Sequence, residues 1–171
     1  EANPHIVAFW RQLETAAKQV CVTKQTLHVG ALTLAMHGTT MTIALPSGRL
    51  LSYPDMQPCT NRFGNASLKY HGVNQETHKW CWIETYGGKL TENVIQATAR
   101  DCLAETMTEM ADSLHLPIIF HVHDEIISEI DTNCQDEQMA AIKAAFAKTP
   151  SWAPGLPLNG AGYITPYYTK D

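Results

Sequence analysis

Residues 86–130 read YGGKLTENVIQATARDCLAETMTEMADSLHLPIIFHVHDEIISEI, and two periodicities succeed one another inside them. From about 89 to 114, Leu90, Val94, Ala97, Leu103, Met107, Met110 and Leu114 make an apolar stripe, while Glu105, Glu109 and Asp112 fall off it. Side chains so spaced share one face of a helix, which predicts one long helix with a buried side. Two short apolar runs come next, Pro117–Val122 and Ile126–Ile130, separated by His123-Asp124-Glu125. They are too short for helices and are split by a polar triplet, so they predict two strands flanking a tight turn.

Working outward, Asn3-Pro4 offers a cap residue and a proline at a first helical position. Ile6, Val7, Trp10, Leu13, Ala17 and Val20 then recur at helical spacing, which predicts an amphipathic helix over 4–20. Within 30–53, Met41, Ile43 and Leu45 alternate with small residues, Pro46-Ser47-Gly48 makes a turn, and Leu50 to Tyr53 returns as a second strand. The stretch Thr23–Gly38 carries no pattern that assigns it. Residues 54–80, rich in Asn, Gly, Pro and His, read as irregular loop. A last helix over about 134–147 buries Met139, Ile142 and Phe146, and the tail from Trp152 to Tyr168 reads as extended. Helix, hairpin, loop, long helix, hairpin, helix is an α+β order with an antiparallel sheet and packed helices.

Composition narrows the function. At 171 residues and 44% apolar content, the chain builds one core, or one core with a small appendage. No apolar run approaches the ~20 residues of a membrane span, so no membrane partner is expected. Nor is there a basic-then-apolar leader, and the expected location is cytoplasmic. The chain begins with Glu1 instead of Met, which leads us to expect a cut within a longer protein. Cys21, Cys59, Cys81, Cys102 and Cys134 are odd in number and widely spaced, as free thiols of a reducing compartment are. A formal charge of −5 disfavours a stand-alone nucleic-acid binder, so phosphate-binding charge would have to come mostly from elsewhere.

Two places could carry chemistry. Asp124 and Glu125 form a carboxylate pair between apolar flanks, where ionised carboxylates are costly unless a cation compensates them. Hard divalent ions such as Mg²⁺ take such oxygens together with substrate phosphates. The bland alternative is a polar hairpin turn exposed to water. The second place is Gly87-Gly88-Lys89, where glycines opening a helix would let a phosphate approach the backbone. Beyond it, Glu92, Gln96 and Arg100 lie on the lysine's side of the helix. Its bland alternative is a glycine turn before a helix with a polar face.

Taken together, these stretches resemble family A (DNA polymerase I-like) DNA polymerases, in their bacteriophage or prophage form. The likeness rests on Leu45-Pro46-Ser47-Gly48-Arg49, on Tyr86–Leu90 running into Asn93-x-x-Gln96-Ala97-Thr98-Ala99-Arg100-Asp101, on His121-x-His123-Asp124-Glu125, and on Trp152-Ala153-Pro154-Gly155-Leu156-Pro157-Leu158 through Tyr167-Tyr168. It runs from about residue 3 to the end, in order. The resemblance implies a palm-type antiparallel sheet. Residues 1–60 would end the fingers region, with a β-hairpin insertion, and 61–171 would form the C-terminal part of the palm. Asp124 would be one of two aspartates holding a pair of Mg²⁺ ions, Glu125 would support that site, and His123 would touch the primer terminus. Gln96 would lie in the minor groove of primer–template DNA, where acceptor atoms are similar for every base pair. Lys89, Arg49, Arg100 and Asn93 are the further DNA-binding candidates.

The departures also matter. Nothing matches the first palm motif with the other aspartate, or the fingers helix that holds the incoming deoxynucleoside triphosphate. Both precede this region in the family. One aspartate cannot hold two ions, so the chain alone is expected to be inactive without the N-terminal part of the same polymerase. Three rival readings stay open. One is a metal hydrolase using His121 and His123 on one strand face, with His115 or Glu129. Another is a zinc module of Cys59, His71, His78 and Cys81. The third is a non-catalytic remnant that binds DNA or a partner.

Overall fold

The computed structural model describes residues 3–169, and the chain divides into two compact units, Glu1–Thr98 and Ala99–Asp171. It is α+β throughout, with antiparallel sheets and three α-helices among the described residues. No described helix is long and apolar enough to cross a membrane.

The first unit opens with helix α1 (Pro4–Thr23), with proline in its first turn as expected. It ends at Lys24, whose backbone turns left-handed (φ 59) and returns its N–H to the Val20 carbonyl at 2.9 Å. Leu13, Ala16, Ala17, Val20 and Cys21 form its buried stripe, whereas Ile6 and Trp10, expected on the apolar face, are exposed. Four strands come next, β1 (Leu27–Val29), β2 (Leu32–His37), β3 (Thr40–Ala44) and β4 (Leu50–Tyr53), paired antiparallel in chain order. The expected hairpin is thus the β3–β4 half of a larger sheet, and the unassigned stretch supplies β1 and β2. Gly30 and Gly38 make the two tight turns with φ of 57 and 63.

Residues 54–80 are not loop. They carry most of a second antiparallel sheet, β5 (Gln57–Thr60), β6 (Ala66–Val73) and β7 (Trp80–Thr85). Leu68, Tyr70 and Gly72 share one face of β6, and Lys69 and His71 share the other. That alternation is real, but glycine, histidine and tyrosine hide it from a hydrophobicity count. Helix α2 (Gly87–Thr108) begins two residues before the expected start, and Leu90, Val94 and Ala97 complete the core formed by α1 and both sheets.

The second unit holds the rest of α2, which passes into a single π-helical turn, Glu109–Ser113. Strands β8 (Ile118–Val122) and β9 (Glu125–Ser128) form a hairpin, and α3 (Gln135–Ala147) comes after it. Lys148 reaches Glu109 at 2.8 Å, and the Trp152 indole donates to Glu105 at 2.6 Å, so the chain leaving α3 is tied to α2 and its π-helical turn at two points. The tail has no strand or helix, yet it is docked. A Cβ at Gly160 would sit 2.6 Å from that of Phe146, and Tyr168 meets Phe120 edge-on at 5.1 Å. Of the apolar positions expected to be buried on α3, Met139, Ile142 and Phe146 are half-buried, and Ala145 is the fully buried one.

Candidate functional site

The β8–β9 register sets Phe120 against Ile127, His121 against Ile126 and Val122 against Glu125. The connection is therefore two residues long, His123 and Asp124, and Glu125 is the first residue of β9 instead of part of the turn. His123 has φ 51, in the left-handed region that two-residue hairpins demand and that glycine, asparagine or aspartate usually fills. Histidine is among the residues enriched in that region, and His78 and His115 adopt it as well, with φ of 53 and 52. A register shift at Ile119 puts an extra residue into β8 three positions before Val122. Such bulges twist a strand and re-aim the residues beyond them. Asp124 and Glu125 are both exposed. The cost of burying carboxylates therefore does not apply here, and the turn presents its oxygens to solvent, where a cation can reach them.

On α2 the phosphate-cradle reading fails. Gly87 is buried, and its N–H donates to the Glu14 carboxylate at 2.9 Å. A Cβ at Gly87 would collide with the Trp10 carbonyl oxygen, so this glycine permits α1 and α2 to touch and leaves no room for an anion. Burial pushes the Glu14 carboxyl up, but the Lys18 ammonium (2.5 Å) and the Gly87 N–H outweigh it and hold the group below its ordinary value. An anion is already in place at this helix N-terminus, and it belongs to the protein.

The other α2 candidates divide. Lys89 is exposed and paired with Glu92 at 2.9 Å, and the Gln96 amide donates to the same Glu92 at 3.4 Å. Lys89, Glu92 and Gln96 thus form a single polar stripe along the exposed side of the helix. Glu92 raises the Lys89 pKa, so the ammonium stays charged. Asn93 turns inward and donates to the Tyr53 hydroxyl at 3.1 Å. That hydroxyl is pushed up to about 12, chiefly by burial, and its partner makes Asn93 a packing residue. Arg49 donates to the Ala97 carbonyl at 2.6 Å and so braces α2 from the β3–β4 turn. Arg100 lies on the second unit's portion of α2, exposed. The α2 stripe and the hairpin turn belong to different units, each with its own geometry.

Metal ligation has a clear geometry here. Among the described residues no three His, Cys, Asp or Glu side chains converge on a common point. His121 and His123 do not share a strand face, because β8 ends at Val122 and His123 turns away with positive φ. Cys59 pairs with Ser67, and Cys81 with Gly72, which puts the two cysteines on opposite faces of the second sheet. His71 is also engaged, to Asp55 at 2.9 Å, and that bond holds Asp55 below its usual range. Neither rival metal reading has the geometry it needs. For a hard ion such as Mg²⁺, Asp124 offers one exposed carboxylate arm with Glu125 beside it, and the described residues supply no third ligand to it. The residues present fit one arm of such a site.

Two contributions escape sequence reasoning. Glu14 caps a helix that starts 73 residues later, and nothing local announces it. The alternation Lys69-x-His71-x-Val73 opposite Glu84, Trp82 and Trp80 does carry a period of two, and it signals the outer face of the second sheet.

The chain matches no family model and no solved structure. It is 40% identical over 173 aligned residues to the DNA polymerase of Bacillus phage SP02. That similarity takes in 99% of this chain, and the chain spans 26%, about a quarter, of the phage protein's length.

Proposed function

We propose that this chain is the C-terminal part of a template-directed, family A DNA polymerase of bacteriophage or prophage type. The observation that carries the proposal is the 40% identity to the phage polymerase along essentially the whole chain. The motif order read from the sequence supplies the family and the position. In this reading residues 1–60 end the fingers region, 61–171 belong to the palm, and the parent works with DNA and deoxynucleoside triphosphates in the cytoplasm.

The turn at β8–β9 is the metal-binding element of this reading. A pair of Mg²⁺ ions, when bound, stabilises the attacking primer oxygen and the departing pyrophosphate. The chain's own share is the Asp124 carboxylate held at the tip of a two-residue turn, with Glu125 fixed next to it by its pairing to Val122. His123, strained at the same tip, faces the primer terminus. Gln96, already oriented by Glu92, offers its amide to minor-groove acceptors common to all base pairs, and so tests pair shape without reading sequence. Lys89 and Arg100 are exposed charges suited to the phosphate backbone. Asn93 and Arg49 act by holding α2 in place.

One aspartate cannot hold two ions, so catalysis belongs to the parent polymerase. The test is primer extension in Mg²⁺ by the parent, wild type against Asp124→Asn, with the 171-residue chain alongside. The variant is expected to lose several orders of magnitude and the chain alone to give no product. Equal extension by wild type and variant would remove Asp124 from the metal site and sink the reading.

A further inference from the structure

The outer face of the second sheet is unlike the rest of the surface. The register puts Lys69 opposite Glu84, His71 opposite Trp82 and Val73 opposite Trp80, all on the side away from the core residues Leu68 and Thr85. Trp80 is 61% exposed and Trp82 43%. The rings are ordered: His71 stacks on Trp82 at 3.7 Å with 27° between planes, and Trp80 lies beyond His71 at 6.2 Å and 25°. Lys69 places its ammonium 4.5 Å over the Trp82 ring. At the β5–β6 connection Arg62 lies 4.7 Å over Phe63, which is 71% exposed. Of the two cation–π pairs among the described residues, one lies on this sheet face and the other in the turn that joins β5 to β6.

We propose that this face binds single-stranded nucleic acid, with a base stacking on the open side of Trp80 and phosphates meeting Lys69 and Arg62. The chemistry selects the occupant. An apolar protein surface laid here would have to bury the Lys69 and Arg62 charges together with the facing Glu84. A duplex keeps its base faces against one another and has none to offer Trp80. A single strand has bare π-faces and a phosphate for each of them, which is what aromatic rings interleaved with cations accept. Between Gln57 and Thr85, Arg62, Lys69 and Lys79 stand against Glu76 and Glu84, and with Asp55, bonded to His71 of this face, the balance is zero in a chain whose total is −5. The inference rests on the sheet alone and stands apart from the hairpin turn and its metal.

Fluorescence anisotropy of labelled dT12 at low salt, titrated with the 171-residue chain, tests it, with a blunt 12-base-pair duplex as the competitor. The wild type is expected to bind dT12 in preference to the duplex. Trp80→Ala, at an exposed position that tolerates truncation, is expected to weaken binding at least about tenfold, and Trp80→Phe to restore most of it. Lys69→Glu, also at the surface, should weaken binding and flatten its salt dependence. Thermal midpoints of all variants close to wild type confine these effects to the face. No binding of dT12 by the wild type, equal preference for the duplex, or unchanged binding by either Trp80→Ala or Lys69→Glu overturns the proposal.

Discussion

At φ 51, His123 holds a backbone in which its β-carbon crowds the next carbonyl, at a cost of about 1–2 kcal/mol. Glycine has no such penalty, and a two-residue hairpin is where glycine would serve best. In the proposed reading, the imidazole at that position serves beside Asp124 at the primer terminus. His123→Gly is accordingly expected to raise the thermal midpoint of the chain, by about 1 kcal/mol of stability, while primer extension by the parent polymerase falls. Full activity in the glycine variant would leave the imidazole without a role at the primer terminus. Asp124 is exposed like His123, and in the proposed reading its part in the site depends on where the turn points it.

At the scale of elements, α1 and α2 approach closely at one point. Gly87 meets the Trp10 carbonyl and is held by Glu14, two residues of one helix gripping the first residue of another. Gly87→Ala is expected to destabilise the first unit by about 1–3 kcal/mol, read as a lower denaturant midpoint, because the atom in the way is backbone and cannot rotate aside. This junction also marks the limit of reading the sequence. Gly87-Gly88-Lys89 announces a helix start and suggests an anion, and the anion that answers is Glu14, fixed by tertiary contact alone. The α1 and α2 stripes, the β3–β4 turn at Pro46-Ser47-Gly48 and the β8–β9 hairpin are all legible, since each rests on periodicity or turn chemistry within a short window. Strands β5 to β7 are not, because residues such as His71 and Gly72 count as loop formers until their cross-strand partners are known. Of the candidate residues, the placement of Asp124 in a hairpin turn and of Lys89 and Gln96 on one side of α2 is legible. The inward turn of Asn93 toward Tyr53 and the bracing of α2 by Arg49 depend on partners 40 and 48 residues away.

On the scale of the whole molecule, the two units are built to different depth. The first has a continuous core running from Leu13 through Ile43 and Leu68 to Ala97. In the second, the buried apolar core among the described residues is Leu103, Met110, Leu116 and Ala145, while Ile119 and Phe120 of the hairpin remain exposed. A two-stranded hairpin with so little packed on it opens easily. Amide hydrogen exchange of the chain should therefore find β8 and β9 exchanging at least about tenfold faster than β2 and β3, and equal protection would contradict this difference between the cores. Elements that must rearrange during a reaction are drawn from that less protected end. The π-helical turn at Glu109–Ser113 adds an evolutionary corollary. Its wider coil holds one residue more than an α-helix would use over the same rise, so the chain can shorten by one there and close as ordinary helix. Elsewhere along α2 a lost residue would rotate every later side chain by about 100°. In that respect Glu109–Ser113 is the segment where related chains can differ in length while the hairpin keeps its aim.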